Sequence, residues 1–273
     1  MHVDLTHTFS VPMYALPEMK AANSAFLAAL RQRFRAKHFD TAKSASGTNH
    51  GAVGDGGQPG ILFTQMCGYP LLKFCRNQYR MLATPHYALP GCVGPRHRAF
   101  FMVRADDPAE RLDNLRGRVF GCNRLSSNSG MNLPRLALAR IAGGRAFFSS
   151  VVVTGAHVTS LQYLADRTID VCSIDSVTWG LFEKFSPVAA EQYRILDETV
   201  SSPCPPFVTS IDRTASEVAA LGEALYETMR DPELSSVRDV LALSDLSVPD
   251  VDAYEGLAQH EREAAELDFP KIR

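Results

Sequence analysis

Short apolar runs separated by amphipathic stretches constrain this chain more than any other feature. Ile61-Leu62-Phe63, Ala99 to Val103, Arg118 to Cys122, Val151-Val152-Val153 and Ile169 to Ile174 read as buried strands, with Pro206 to Ser210 a weaker sixth. Between them lie helical patterns. Phe26, Leu27, Leu30 and Phe34 fall at helical spacing within Met19 to Phe34. Leu133, Leu136, Ala137 and Ile141 form a stripe that stops at Gly143-Gly144, and Leu161, Leu164 and Ala165 make another. The C-terminal third is rich in Ala, Leu, Glu and Arg and reads as mostly helical. Strands alternating with helices imply α/β layers around parallel sheets, where ligands bind beyond the carboxyl ends of the strands. The strand-to-helix loops are therefore where function should be sought.

Composition narrows the partners. The 273 residues carry 28 basic and 30 acidic side chains, a formal net charge of -2. Nucleic-acid partners demand clustered basic surface, so none is expected, nor is membrane insertion: no run approaches the roughly 18 apolar residues of a membrane helix. An anion would have to be held by local dipoles and hydrogen bonds rather than by a broad positive field. Met1 to His7 has neither a basic start nor an apolar core, so it does not read as a signal peptide. The cysteines, Cys67, Cys75, Cys92, Cys122, Cys172 and Cys204, form no CxxC pair and fit no zinc spacing with the eight histidines. They read as free, mostly buried thiols, although their even number leaves disulfides open. No metal or cofactor is expected. Thr41 to Gly60, with six glycines, reads as a surface loop.

Three strand-to-helix loops carry anion chemistry. After Cys122 comes a segment with Ser126, Ser127, Asn128, Ser129, Gly130 and Asn132, ahead of a helix in which Pro134 fits best near the start. Backbone N–H groups and the dipole at a helix N-terminus favour an anion; Ser and Asn add neutral donors, and Gly130 lets the backbone come close. The same residue types also serve as ordinary N-caps. After Val153, His157 can donate an N–H, with hydroxyls from Thr159 and Ser160. After Ile174, Asp175 is either an N-cap or an acceptor for a protonated ligand oxygen or an ammonium. His157 and Asp175 are expected at the ends of neighbouring strands. Tyr14, ahead of the first long helix, and Gln65, after the strand at Ile61, are further candidate ligand contacts; Tyr69 serves packing as readily.

In order and spacing, residues 8 to 210 resemble the phosphate/phosphite/phosphonate ABC-transporter substrate-binding family. The resemblance is carried by Leu115-Arg116-Gly117 followed by Ser127-Asn128-Ser129-Gly130, by Gly155-Ala156-His157, and by Asp170 to Asp175. Gln65 to Pro70 and Pro90 to Pro95 add to it. It implies a type II periplasmic-binding-protein fold: two α/β lobes with the ligand in the cleft. It also implies a phosphorus oxyanion held by Ser127, Asn128 and Ser129 with help from His157, an ABC permease as partner, and a periplasmic location. The missing leader leaves a cytoplasmic one open. The family's phosphonate binders tend to carry Thr at the position of Asn128 and an acidic residue at that of Val158, which counts against a ligand like 2-aminoethylphosphonate. Lobe one is expected at about 1–97, returning at 199–273, and lobe two at 98–198. The competing readings are an enzyme on the same fold, using Cys67, His157 and Asp175, and a cytoplasmic ligand sensor.

Overall fold

The computed structural model describes residues 8–37 and 60–273. Met1 to His7 and, apart from Gly60, the loop expected between Thr41 and Gly60 lie outside the described residues. In chain order the strands are β1 (Thr8–Phe9), β2 (Ile61–Gln65), β3 (Tyr79–Tyr87), β4 (Arg96–His97), β5 (Ala99–Arg104), β6 (Val119–Cys122), β7 (Ser150–Val153), β8 (Val171–Asp175), β9 (Tyr193–Glu198), β10 (Ser202–Pro203), β11 (Phe207–Ser210) and β12 (Leu243–Ser247). The α-helices are α1 (Lys20–Ala36), α2 (Gly68–Phe74), α3 (Leu133–Ala142), α4 (His157–Ala165), α5 (Ser176–Phe185), α6 (Pro187–Ala190), α7 (Ala215–Arg230), α8 (Ser235–Leu241) and α9 (Val251–Glu266).

The chain divides into two compact units. The first holds the described residues up to Ala88, Val93–Pro95 and Pro203–Asp250; the second holds Leu89–Cys92, Arg96–Ser202 and Val251–Arg273. Each is built on its own five-stranded sheet, ordered β1-β2-β11-β3-β12 in the first and β7-β6-β8-β5-β9 in the second. Both sheets are mixed rather than parallel. In the first, only the β1–β2 pair is parallel, whereas β11 runs antiparallel to β2 and β3, and β12 antiparallel to β3. In the second, β6 runs parallel to β7 and β8, while β5 runs antiparallel to β8 and β9.

The unbroken apolar run of β5 has a direct cause. Phe101 and Val103 face one core, with Phe120, Met131 and Leu138, while Phe100 and Met102 face another, with Leu161, Ile174 and Trp179. A strand covered on both faces has no solvent side on which to place polar residues. Helix α3 covers the first face and α4 and α5 the second. Helix α3 stops at Gly143, whose φ of 61° is the left-handed cap conformation that glycine adopts without penalty.

The C-terminal segment corrects the expected boundaries. Residues 251–273 were expected with the first lobe, but they pack in the second unit. Ala264, Phe269 and Ile272 join the core under α3; Asn132 Nδ2 donates to the Leu257 carbonyl at 2.9 Å, and Phe148 N to the Arg273 carbonyl at 3.1 Å. Burying Phe269 contributes about 1.5–3 kcal/mol towards holding this segment in place. The expected neighbour relation of the strands before His157 and Asp175 is corrected too: β6 lies between β7 and β8.

Candidate anion site

The parallel strands β6, β7 and β8 end at Cys122, Val153 and Asp175 on one edge of the second sheet. The chain leaves β6 through Asn123 to Ser127 and enters a π-helical turn, Asn128–Asn132, that runs directly into α3 with Pro134 in its first turn. Two wide-turn bonds mark it: Asn132 N donates to the Ser127 carbonyl at 3.0 Å, and Leu133 N to that of Asn128. Such turns are rare and cluster at functional sites. The first N–H groups of the run have no intrahelical acceptor and point out of its N-terminal end.

Each sequence candidate in this loop has a definite place. Ser127 is the N-cap; its Oγ accepts from Gly130 N at 3.0 Å, which leaves the hydroxyl hydrogen free to donate. Asn128 has its side chain turned into the fold, with Nδ2 donating to Ser202 Oγ at 2.9 Å and Oδ1 accepting from Asn132 Nδ2 at 3.1 Å. The group it can offer an anion is therefore its backbone N–H. Ser129 places Oγ 3.1 Å from His157 Nε2, and its carbonyl accepts from Ser173 Oγ at 2.7 Å. At Gly130 a Cβ would lie 2.0 Å from Asn123 Oδ1, so a larger residue there would force the Asn123 side chain to move; the constraint is close approach rather than an unusual φ. Ser126 is half-buried at the start of the loop.

His157 is the first residue of α4 and Asp175 the N-cap of α5. Although β6 separates their strands, His157 Nε2 reaches 3.4 Å from Asp175 Oδ2. Asp175 also caps α5: Oδ1 accepts from Thr178 N at 2.9 Å and Oδ2 from Thr178 Oγ1 at 2.5 Å. Thr159 is half-buried in the first turn of α4, and no side chain caps that helix; Ser160 Oγ lies 2.5 Å from Thr154 Oγ1. Six candidates thus meet in the second unit: Ser127, Asn128, Ser129, Gly130, His157 and Asp175.

Tyr14, Gln65 and Tyr69 belong to the first unit. Tyr14 and Gln65 line one recess there with Asn23, Tyr87 and Phe207. Gln65 Nε2 donates to Tyr87 OH and to the Pro205 carbonyl, both at 2.9 Å, so its amide hydrogens are used. Tyr69 is buried in α2 and accepts from Lys73 Nζ at 3.1 Å. Cys67 is the N-cap residue of α2, in the same unit. All six cysteines are free thiols.

Sequence reasoning missed His97. It lies in β4, two residues before Ala99, which stands opposite Asp175 in the β5–β8 register. It is 3% exposed, and its Nδ1 has no hydrogen-bond partner among the described residues. Burial drives its pKa from 6.5 down to about 4; Asp175 opposes the shift, and His157 and Arg96 add to it. His157 is also pushed below its ordinary value by burial, against the opposing pull of Asp175 and of the Ser173 backbone. Burial thus favours the neutral form of both imidazoles, which lie beside Asp175.

Ser129, His157 and Asp175 look like a hydrolase triad but do not have its geometry. In a proton relay the serine and the carboxylate engage opposite ring nitrogens. Here both face Nε2, so the imidazole cannot take the Ser129 proton there while Asp175 holds the other side of the ring.

A family model described as "ABC transporter, phosphonate, periplasmic substrate-binding protein" matches residues 10–254. The chain belongs to this family. Solved structures agree on the fold. A binding-protein component of an ABC phosphonate transporter from Pseudomonas aeruginosa superposes with a TM-score of 0.75 at 14% identity, over 96% of this chain and 87% of that one. A Prochlorococcus marinus protein in complex with methylphosphonate gives 0.66 at 12% identity, over 96% and 98%. A Xanthomonas citri protein bound to ATP gives 0.62 at 15%, over 96% and 97%. At these identities the likeness shows the fold alone: α/β, of the two-lobed periplasmic-binding-protein type. No curated protein matches the sequence. The family is one of substrate-binding proteins rather than enzymes. No helix among the described residues is long and apolar enough to cross a membrane.

Proposed function

We propose that the chain captures a small phosphorus oxyanion, a phosphonate, phosphite or phosphate, and delivers it to an ABC permease in the periplasm. The observation that carries the reading is the meeting of Ser129 and His157, 3.1 Å apart, beside the N-terminal end of the turn that runs into α3. Residues from two loops far apart in sequence there gather a hydroxyl, an imidazole and backbone N–H groups, all neutral donors. Hydrogen bonds from such groups to a charged oxygen contribute about 1.5–3 kcal/mol each. The family assignment supports the ligand class and the permease partner.

The test is a thermal-shift and calorimetric panel of phosphate, phosphite, methylphosphonate, 2-aminoethylphosphonate and sulfate. A ligand at about a hundred times its dissociation constant stabilises the folded state by about 2.7 kcal/mol, a readily measured rise in midpoint. At least one phosphorus oxyanion should give that rise and survive the titration unchanged. No response to any of them, or conversion of the ligand over hours, would overturn the reading.

A further inference from the structure

The site already contains a negative charge. Asp175 is 3% exposed, and the nearby imidazoles are neutral in the ligand-free protein. Two arginines beside β5 are engaged elsewhere: Arg96 donates to Ser201 Oγ and its carbonyl, and Arg98 pairs with Glu198. A dianion arriving at Ser127 and Ser129 would thus meet a buried carboxylate, an arrangement that low-dielectric surroundings make costly unless a positive charge stands close by. Protonating an imidazole removes the difficulty, and two imidazoles stand in place. His157 contacts both Ser129 and Asp175. His97 is buried beyond the end of β8, its segment β4 paired with β10, whose Ser202 holds Asn128 of the serine loop.

We infer that capture of a dianionic oxyanion draws a proton into the protein, onto the His97 and His157 imidazoles that flank Asp175. The inference rests on the phosphorus-oxyanion reading and adds its proton linkage. The charged groups that bear on His97 are Arg96 on its own strand, Asp175 at the start of α5 and His157 at the start of α4; on His157 it is Asp175. Of these only Asp175 favours the imidazolium. The ligand's two negative charges supply what is missing, and the protonated ring completes an alternation of anion, imidazolium and carboxylate. The unbonded Nδ1 of His97 gains its acceptor in the same step or stays the neutral donor beside a charged His157. In either arrangement the protein, not the ligand, carries the extra proton.

The experiment uses the whole chain and methylphosphonate as the probe. Calorimetry at about pH 8, in two buffers of different ionisation heat, reads the protons exchanged on binding, and uptake of a large fraction of about one proton is expected. Nitrogen-15 histidine spectra of the free and saturated protein then locate it: a resonance of His157 or His97, assigned with His157→Gln and His97→Gln, moves to the imidazolium position. The phosphorus-31 shift of the bound ligand stays at the dianion value. Zero or negative uptake overturns the inference, as does uptake with every imidazole still neutral and the ligand itself protonated. Absence of binding by any of the phosphorus oxyanions overturns the reading beneath it, and the two failures are told apart by the presence or absence of a saturable heat.

Discussion

Two buried neutral histidines make ligand-free stability depend on pH in a defined direction. Burial lowers the His97 pKa from 6.5 to about 4, so the unfolded chain takes up the proton first. Its contribution is fully present above about pH 6.5 and is lost as the pH falls towards 4. The interval corresponds to about 3 kcal/mol at or below pH 4 and about 2 kcal/mol at pH 5. His157, shifted in the same direction, adds to the loss. Replacing His97 by Gln removes its share alone, because every other titrating group is common to both proteins. The assay is urea unfolding followed by tryptophan fluorescence at about pH 7 and pH 5. Trp179, the only tryptophan, lies in α5 four residues beyond Asp175, so the signal reports the second unit. Between the two pH values the parent should lose about 2 kcal/mol more than His97→Gln. Equal losses would refute the claim that His97 is held neutral by burial.

Other substitutions probe the site from different sides. Asp175→Asn keeps one acceptor for Thr178 but loses the charge facing His157; sulfate should gain on phosphate in paired titrations, with stability lower by about 1 kcal/mol. If only the stability changes, Asp175 is a cap and leaves the site. Gly130→Ala drives a Cβ into Asn123 Oδ1; it should cost about 1–3 kcal/mol and weaken methylphosphonate binding at least as much as it lowers the melting temperature suggests, whereas unchanged calorimetric affinity would place the anion elsewhere.

What could be read from the sequence follows from what is local. The fully covered strands β5 and β8 announce themselves as apolar runs, and a loop that must cap a helix and approach a ligand shows its Ser, Asn and Gly residues. Strand β3 did not read as a strand, because Arg80 and His86 interrupt its apolar pattern and Pro85 lies near its end, facing Leu246 of β12. Strands β9 and β12 are half-exposed edge strands rich in charged or polar residues, and they were absorbed into the helical reading of their surroundings. The destination of α9 depends on contacts with residues more than a hundred positions away, such as Asn132 with Leu257, and no local pattern encodes that. His97 was invisible for a related reason. Flanked by Arg96 and Arg98, it looks like surface, and only the register of β5 against β8 carries it beside Asp175.

The central claim is that the serine loop of the second unit is the anion-binding element. The most direct measurement is calorimetric titration of Ser127→Ala/Ser129→Ala with methylphosphonate, phosphite and phosphate, alongside the parent protein. The substitutions remove two hydroxyl donors and leave the Asn128 network with Ser202 and Asn132 in place. Losing two hydrogen bonds to a charged ligand should weaken binding by roughly a hundredfold or more, while fluorescence of Trp179 still reports a folded second unit. Parental affinity in the folded double variant would contradict the account.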